Sequence, residues 1–146
     1  MFLKYDFINM AMKNYIKEDY CSYEVAKLLK KKGFIEPCYR WYDGNGDICA
    51  KFITPDVPLD YFSRERYLCP THQMAMMWLR ETLGLYITIR TMFIEKEVTY
   101  DSVIQYMKNN KHNTITDENS YNKIEDATEA AIKYCLENLE PLIWKK

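Results

Sequence analysis

The chain has 146 residues, of which 48% are hydrophobic, 15% aromatic and 28% charged. This length suffices for one domain with a substantial core, and the high apolar content excludes a disordered chain. The 20 Lys and Arg residues balance 21 Asp and Glu residues, so the net charge of -1 provides no general attraction for nucleic acid.

Neither a membrane span nor a signal peptide is expected from the sequence. No run of apolar residues is long enough to cross a bilayer, and the N-terminal stretch lacks a small-residue cleavage site. The five cysteines are odd in number and scattered, which is typical of reduced thiols. We therefore expect one cytoplasmic domain over residues 1–146, without contact to a membrane.

Helical spacing of apolar residues predicts a first helix over residues 4–17. A second helix is predicted to begin after Ser22, a good N-cap, and to end at Gly33, which can adopt a left-handed conformation. Residues 38–42 and 48–53 then form a predicted β-hairpin around the Gly- and Asn-rich turn between them.

A long loop is predicted over residues 54–69, because this stretch holds two prolines among charged residues. Thr71 is the expected N-cap of the next helix, and Gly84 its end, with a strand over 85–94. Residues 98–107 fit a strand or a helix, and we favour a strand. A second loop is expected over 108–121.

The last helix is predicted to begin near Asn122, with Glu125 three residues later as its capping-box partner. The complete prediction is an α+β fold in which helices pack on a small antiparallel sheet. Its element order is α-α-β-β-α-β-β-α.

Three blocks of sequence resemble a known group of proteins. The blocks are AKLLKKKGFIEPCYRWYDGNGD, PTHQMAMMWLRETLGLYITI and EDATEAAIKYCLENL. In the same order they are similar to the KxKGF, PTxQxAxxWLRE and EEAxxxAIxxAL blocks of small uncharacterised proteins that are widespread in gut bacteria, their mobile elements and phages. The resemblance implies an accessory protein of a phage or mobile element in a bacterial host cell, and it implies no activity.

Candidate metal ligands are few. Cys69 and His72 form a C-x-x-H pair that would be half of a zinc site, with Cys38 or Cys49 as a further ligand, but the second half of a standard signature is missing. The acidic turn after residue 42 has the spacing that opens a calcium loop, yet it lacks the later glycine and glutamate. We therefore expect no metal and no cofactor.

An enzyme is not expected. The candidate nucleophile is Cys69, which lies near a helix N-terminus and near His72 in sequence, but no third, orienting group is identified. The chain also contains no phosphate loop, dinucleotide fingerprint or nucleophile elbow. Cys69 is therefore interpreted as an ordinary thiol, and a thiol-dependent enzyme is the third hypothesis.

Nucleic-acid binding is the second hypothesis. Tyr39 and Trp41 share one face of a predicted strand, so they could stack bases while Lys30 and Lys32 hold phosphates. The alternative is that these aromatic residues pack beneath a helix, which we favour because of the balanced net charge.

Protein binding is the first hypothesis. The 54–69 connection carries aromatic and arginine residues of the kinds that anchor interfaces, namely Tyr61, Phe62, Arg64, Arg66 and Tyr67. The strand over 85–94 is also a candidate edge for pairing with an unidentified protein or with a second copy, which would give a homodimer. The sequence therefore predicts a non-enzymatic binding module.

Overall fold

The structure is a computed structural model, and it describes residues 18–53 and 65–139, without the side chains of residues 50–53. The helix predicted over 4–17 and most of the loop predicted over 54–69 lie outside these residues. The described elements form an α+β fold of three helices and two antiparallel three-stranded sheets, which confirms the predicted class.

The first two described helices begin and end where the sequence predicts. In α1 (Tyr23–Lys31), the Ser22 side chain accepts a hydrogen bond from the Val25 backbone N–H at 3.2 Å, and Gly33 follows at φ +93°. In α2 (His72–Leu83), Thr71 accepts from the Met74 N–H at 3.2 Å, and Gly84 ends the helix at φ +65°. Local capping chemistry therefore sets these boundaries.

The first sheet contains one strand that the sequence did not reveal. The predicted hairpin is present as β1 (Cys38–Tyr42) and β2 (Ile48–Ile53). On the other side of β1 lies β3 (Tyr67–Cys69), so the predicted loop over 54–69 is wrong at its C-terminal end. β3 has only three residues and is a strand because it pairs with β1. Pairing with a distant strand leaves little signal in the local sequence.

The second sheet has the order β4-β5-β6, formed by β4 (Tyr86–Ile94), β5 (Glu97–Lys108) and β6 (Lys111–Thr116). The strand favoured for residues 98–107 is confirmed within β5. The loop predicted over 108–121 is wrong over residues 108–116, because Asn109 and Asn110 take φ values of 53° and 58° and form a tight hairpin turn into β6. Residues 117–121 lie outside the strands, as predicted. β6 was missed because its polar side chains lie at an exposed sheet edge.

The last helix, α3 (Ile124–Asn138), begins one residue later than a cap at Asn122 would place it. Its N-cap is Lys123, which makes no side-chain cap hydrogen bond, so the predicted capping box is wrong. Glu125 and Asp126 lie in the first turn, where the helix dipole favours negative charge. These two charges stabilise the start of the helix, where no side-chain cap is present.

The larger of two hydrophobic clusters among the described residues joins the helices to the sheets. α3 packs on β4 and β5 and also contacts α1 and α2, while α1 lies against β3. The largest side chains with almost no exposure are Val25, Leu29, Leu79, Leu85, Ile132 and Leu136. Phe34 and Trp78 meet edge to face with ring centroids 5.4 Å apart.

None of the helices among the described residues is long and apolar enough to cross a membrane.

Replacing Gly84 tests the left-handed turn between α2 and β4. A Cβ at Gly84 would meet no atom within 4 Å, so the cost of Gly84→Ala arises from backbone conformation alone. We expect a loss of about 1 kcal/mol in the free energy of unfolding, and a smaller loss for Gly84→Asn, because Asn tolerates this conformation better. Urea denaturation measures both values, and equal stability of the Ala variant and the parent would contradict the assignment.

Candidate functional site

The predicted binding residues on the 54–69 connection are only partly described. Tyr61, Phe62 and Arg64 lie outside the described residues. The guanidinium carbon of Arg66 lies 3.7 Å from the centroid of the Trp41 ring, and the Tyr67 ring lies beneath the Lys30 ammonium at 4.7 Å. Arg66 and Tyr67 are therefore engaged in contacts within the chain.

The residues of the nucleic-acid hypothesis do not form one open face. Tyr39 is 61% exposed, but Trp41 is 9% exposed and is stacked against the Arg66 guanidinium. The register of β1 shifts between Cys38 and Arg40, which breaks the simple alternation expected along this strand. The Lys30 Nζ donates to the Arg66 carbonyl at 2.8 Å, and Lys32 is the C-cap of α1. Trp41 thus lacks a free ring face on which a base could stack.

An open groove lies between the outer face of α2 and the start of β4. Its volume is about 580 Å³. The apolar part of its lining comes from Met74, Met76, Met77, Tyr86 and Ile87, and the polar part includes Gln73, Arg80, Thr88 and Gln105. Met77 and Tyr86 are 52% and 53% exposed, so the groove presents apolar surface to solvent.

Strand β4 beside this groove has one open edge in the part of the chain that the structure describes. β4 pairs with β5 in unbroken register, from Tyr86 opposite Gln105 to Ile94 opposite Glu97, and the order β4-β5-β6 places it at the side of its sheet. The strand is nine residues long and reads YITIRTMFI. It contains no proline, no bulge and only one charged residue. Natural edge strands usually carry several such features, which prevent pairing with other chains.

The single charge on β4 is neutralised by its neighbour on β5. The Arg90 Nε donates to the Asp101 Oδ1 at 2.8 Å, and a second, short hydrogen bond joins the Arg90 Nη2 to Oδ2. Asp101 is 5% exposed, and the hydrogen bonds from Arg90 hold the pKa of its carboxyl below the ordinary value against the opposing effect of burial. Arg90 is therefore held to the sheet by a bidentate pair.

A second cluster lies inside the protein, at the inner start of α2. Cys21, His72 and Glu129 each bring one potential ligand atom within 4.8 Å of the others. The His72 Nε2 and the Glu129 Oε2 are 2.7 Å apart, and the Glu129 Oε1 accepts the Ser22 N–H at 2.9 Å. Burial raises the pKa of Glu129, but hydrogen bonds from His72 and Ser22 outweigh that effect and hold it below the ordinary value.

The cluster differs from the predicted C-x-x-H pair. His72 takes part, but its neighbours are Cys21 and Glu129, and Cys69 does not belong to the group. The sequence contained a signal that was missed: Glu129, Ile132 and Leu136 fall on one helical stripe, and the last two are buried. A glutamate in line with core residues indicates a buried polar partner.

Cys69 occupies a separate position. Its Sγ lies 3.3 Å from the Cys21 carbonyl oxygen, which also accepts the Tyr42 hydroxyl at 2.7 Å. Cys69 is 1% exposed, and burial raises the pKa of its thiol. These surroundings suit a protonated thiol and disfavour the thiolate that nucleophilic catalysis requires.

The acidic turn between β1 and β2 is organised by its own hydrogen bonds. The Asp43 Oδ1 accepts the backbone N–H groups of Asn45 and Asp47 at 2.8 and 3.0 Å. This carboxylate therefore caps the turn, which is the ordinary role of aspartate at such a position.

No protein-family model matches the chain, and no significant match exists among curated proteins or solved structures. The functional proposals draw on the sequence and on the geometry of the described residues.

The five thiols are expected to react with a thiol reagent at two different rates. Cys49 is partly exposed, whereas the other four are buried, namely Cys21, Cys38, Cys69 and Cys135. Burial raises the pKa of Cys38 and Cys135 to about 12, which keeps both thiols protonated at neutral pH. A thiol reagent at pH 7 should label Cys49 first, and mass spectrometry should find the other four labelled after unfolding. The Cys49→Ser variant is the control, and fast labelling of Cys69 in it would contradict this assignment.

The Arg90 and Asp101 pair predicts a pH-dependent stability difference. Because the pKa of Asp101 is lower in the folded state, its contribution is present above the unfolded pKa of about 4 and is lost as the pH falls through the folded value. Asp101→Asn should therefore be less stable than the parent at pH 7. Urea denaturation across acidic pH should show the two stabilities converging, and a difference that persists in strong acid would contradict a charged pair.

Proposed function

We propose that this chain is a non-enzymatic protein-binding module that pairs an extended segment of a partner protein with the open edge of β4. The observation that carries the proposal is this nine-residue, apolar edge, which pairs on one side only among the described residues. In strand addition, main-chain hydrogen bonds provide affinity, and side-chain pockets provide selectivity. The resemblance to proteins of gut bacteria, their mobile elements and phages favours an accessory role for the module in such an element.

The contrast between the two edges of the second sheet supports β4 as the binding edge. β6 forms the opposite edge with six residues, KHNTIT, of which the first two are Lys111 and His112. Short, polar, positively charged edges resist pairing with other chains. β4 is longer and more apolar. Its one charged side chain, Arg90, is paired with Asp101, and the side chains of Phe93 and Ile94 are 78% and 61% exposed.

The groove supplies the selectivity of this proposal. An extended segment paired with the first residues of β4 would direct alternate side chains towards α2. There they would meet Met74, Met76 and Met77, whose flexible thioether side chains adapt to different apolar shapes. Arg80 and Gln105 add polar groups to the lining. The partner segment is therefore expected to carry apolar residues at alternate positions.

A second copy of the chain is one version of the same proposal. Two β4 strands can pair antiparallel about a twofold axis, and this would produce the homodimer that the sequence suggested. The exposed Phe93, Ile94 and Val98 side chains lie near the end of the β4–β5 hairpin and would enlarge such an interface. Self-association and binding to another protein use the same edge, so they would compete.

The alternative functions have weaker support. For nucleic acid, Trp41 has no free ring face, and the chain has a net charge of -1. For a thiol-dependent enzyme, Cys69 is 1% exposed, and burial raises its pKa. Neither alternative explains the open apolar edge of β4.

Peptide selection tests the proposal even though the partner is unidentified. A displayed library of random linear peptides is selected on the immobilised full chain, and the recovered peptides are measured by titration calorimetry against Met77→Glu. We expect selected peptides with alternating apolar residues and a roughly tenfold weaker affinity for the variant, as for the loss of a central interface side chain.

Met107→Glu is the matched control, because Met107 is a 42% exposed methionine on β5 that does not line the groove. It should leave peptide affinity unchanged. Analytical ultracentrifugation of the free protein measures self-association in parallel. Equal effects of the two variants would contradict the groove, and a monomer that selects no peptide would overturn the proposal.

A further inference from the structure

The Cys21, His72 and Glu129 cluster carries an inference independent of peptide binding. Three distant parts of the chain meet there: the segment before α1, the first residue of α2 and the middle of α3. Cys21 has no exposure, His72 is 7% exposed, and the Glu129 side chain retains 25%. Their potential ligand atoms lie within 4.8 Å of one another. We infer that these three residues bind one Zn²⁺ ion, with water as the fourth ligand.

The donor set suits zinc. Thiolate, imidazole and carboxylate are the three ligand types that proteins use for Zn²⁺, whereas calcium and magnesium require oxygen ligands. A thiolate and a carboxylate balance the charge of a divalent ion, which permits binding at a buried site. Metal binding breaks the S–H bond of Cys21, forms a sulfur–zinc bond and releases the thiol proton to solvent; the His72 Nε2 gives up its proton before it coordinates, and the neutral imidazole then carries its one proton on Nδ1.

The backbone around the cluster places the ligands before any ion binds. The His72 N–H donates to the Asp19 carbonyl at 2.8 Å, and the Cys21 N–H donates to the Pro70 carbonyl at 2.9 Å. The Ser22 N–H holds one oxygen of Glu129 at 2.9 Å. These bonds fix the three residues relative to one another, as the supporting interactions of metal sites do.

Only small movements separate this arrangement from a coordinated one. In tetrahedral zinc sites the ligand atoms lie roughly 3.5 Å apart, given bonds of about 2.0 to 2.3 Å. The His72 and Glu129 atoms, now 2.7 Å apart, would separate slightly, and the Cys21 Sγ would move closer. The partial exposure of Glu129 provides the side from which the ion and its water enter.

The bound ion would have a structural role. It would replace the hydrogen bond between His72 and Glu129 with three bonds to one centre, and it would connect α2 and α3 to the segment before α1. An ion that binds the folded state alone stabilises it in proportion to the logarithm of its concentration. We therefore expect free zinc at roughly ten times its dissociation constant to raise the unfolding temperature by about 5 °C.

Metal titration of the full chain tests this inference. The reduced protein is freed of metal with a chelator and titrated with Zn²⁺, and Co²⁺ serves as a spectroscopic substitute. We expect one equivalent of zinc, the rise in unfolding temperature and a thiolate-to-cobalt charge-transfer band in the near ultraviolet. Absence of stoichiometric zinc binding by the parent protein would overturn the site, whatever happens to the variants.

Variants identify the ligands. Cys21→Ser should abolish the charge-transfer band, and Glu129→Gln should weaken zinc binding by at least about tenfold. Cys38→Ser is the matched control, since Cys38 is a buried thiol outside the cluster, and it should retain the band and the affinity. A band that survives in Cys21→Ser but disappears in Cys38→Ser would contradict the assignment of the ligands.

Discussion

The left-handed turn at Gly84 determines how the second half of the chain is arranged. The Gly84 N–H bonds to the Arg80 carbonyl and the Leu85 N–H to the Leu79 carbonyl, at 3.1 and 3.2 Å, so the chain reverses within two residues of the end of α2. This reversal brings β4 alongside the helix that precedes it. Leu85 consequently enters the core, and Tyr86 begins the strand beside the groove.

Helix α2 then connects the two regions for which functions are proposed. Its inner face contributes Trp78 and Leu79 to the core and places His72 beside Glu129. Its outer face contributes Met77 and other residues to the groove. An ion at the inner start of α2 would hold the helix against α3 and would therefore also set the position of the groove wall. The proposed peptide site and the proposed metal site can be tested separately, because Met77 lines the groove whereas His72 contacts Glu129.

The parts of the fold that the sequence predicted are those determined by neighbouring residues. Ser22, Thr71, Gly33 and Gly84 act through hydrogen bonds or backbone angles within a few positions, and the hairpin turn after β1 is equally local. The missed features depend on distant partners. β3 is a strand because it pairs with β1, and His72 meets Glu129 across 57 residues of sequence. Periodicity indicates which face of α3 is buried, but it does not identify what Glu129 faces.

Amide hydrogen exchange along β4 shows whether a bound peptide adds a strand to this edge. In the free protein, the amides of Tyr86–Ile94 that do not bond to β5 should exchange quickly, because this edge is open. With a selected peptide bound, these amides should become protected while those of Lys111–Thr116 are unchanged. Protection that appears at β6, or peptide binding that leaves β4 unprotected, would rule out strand addition at β4.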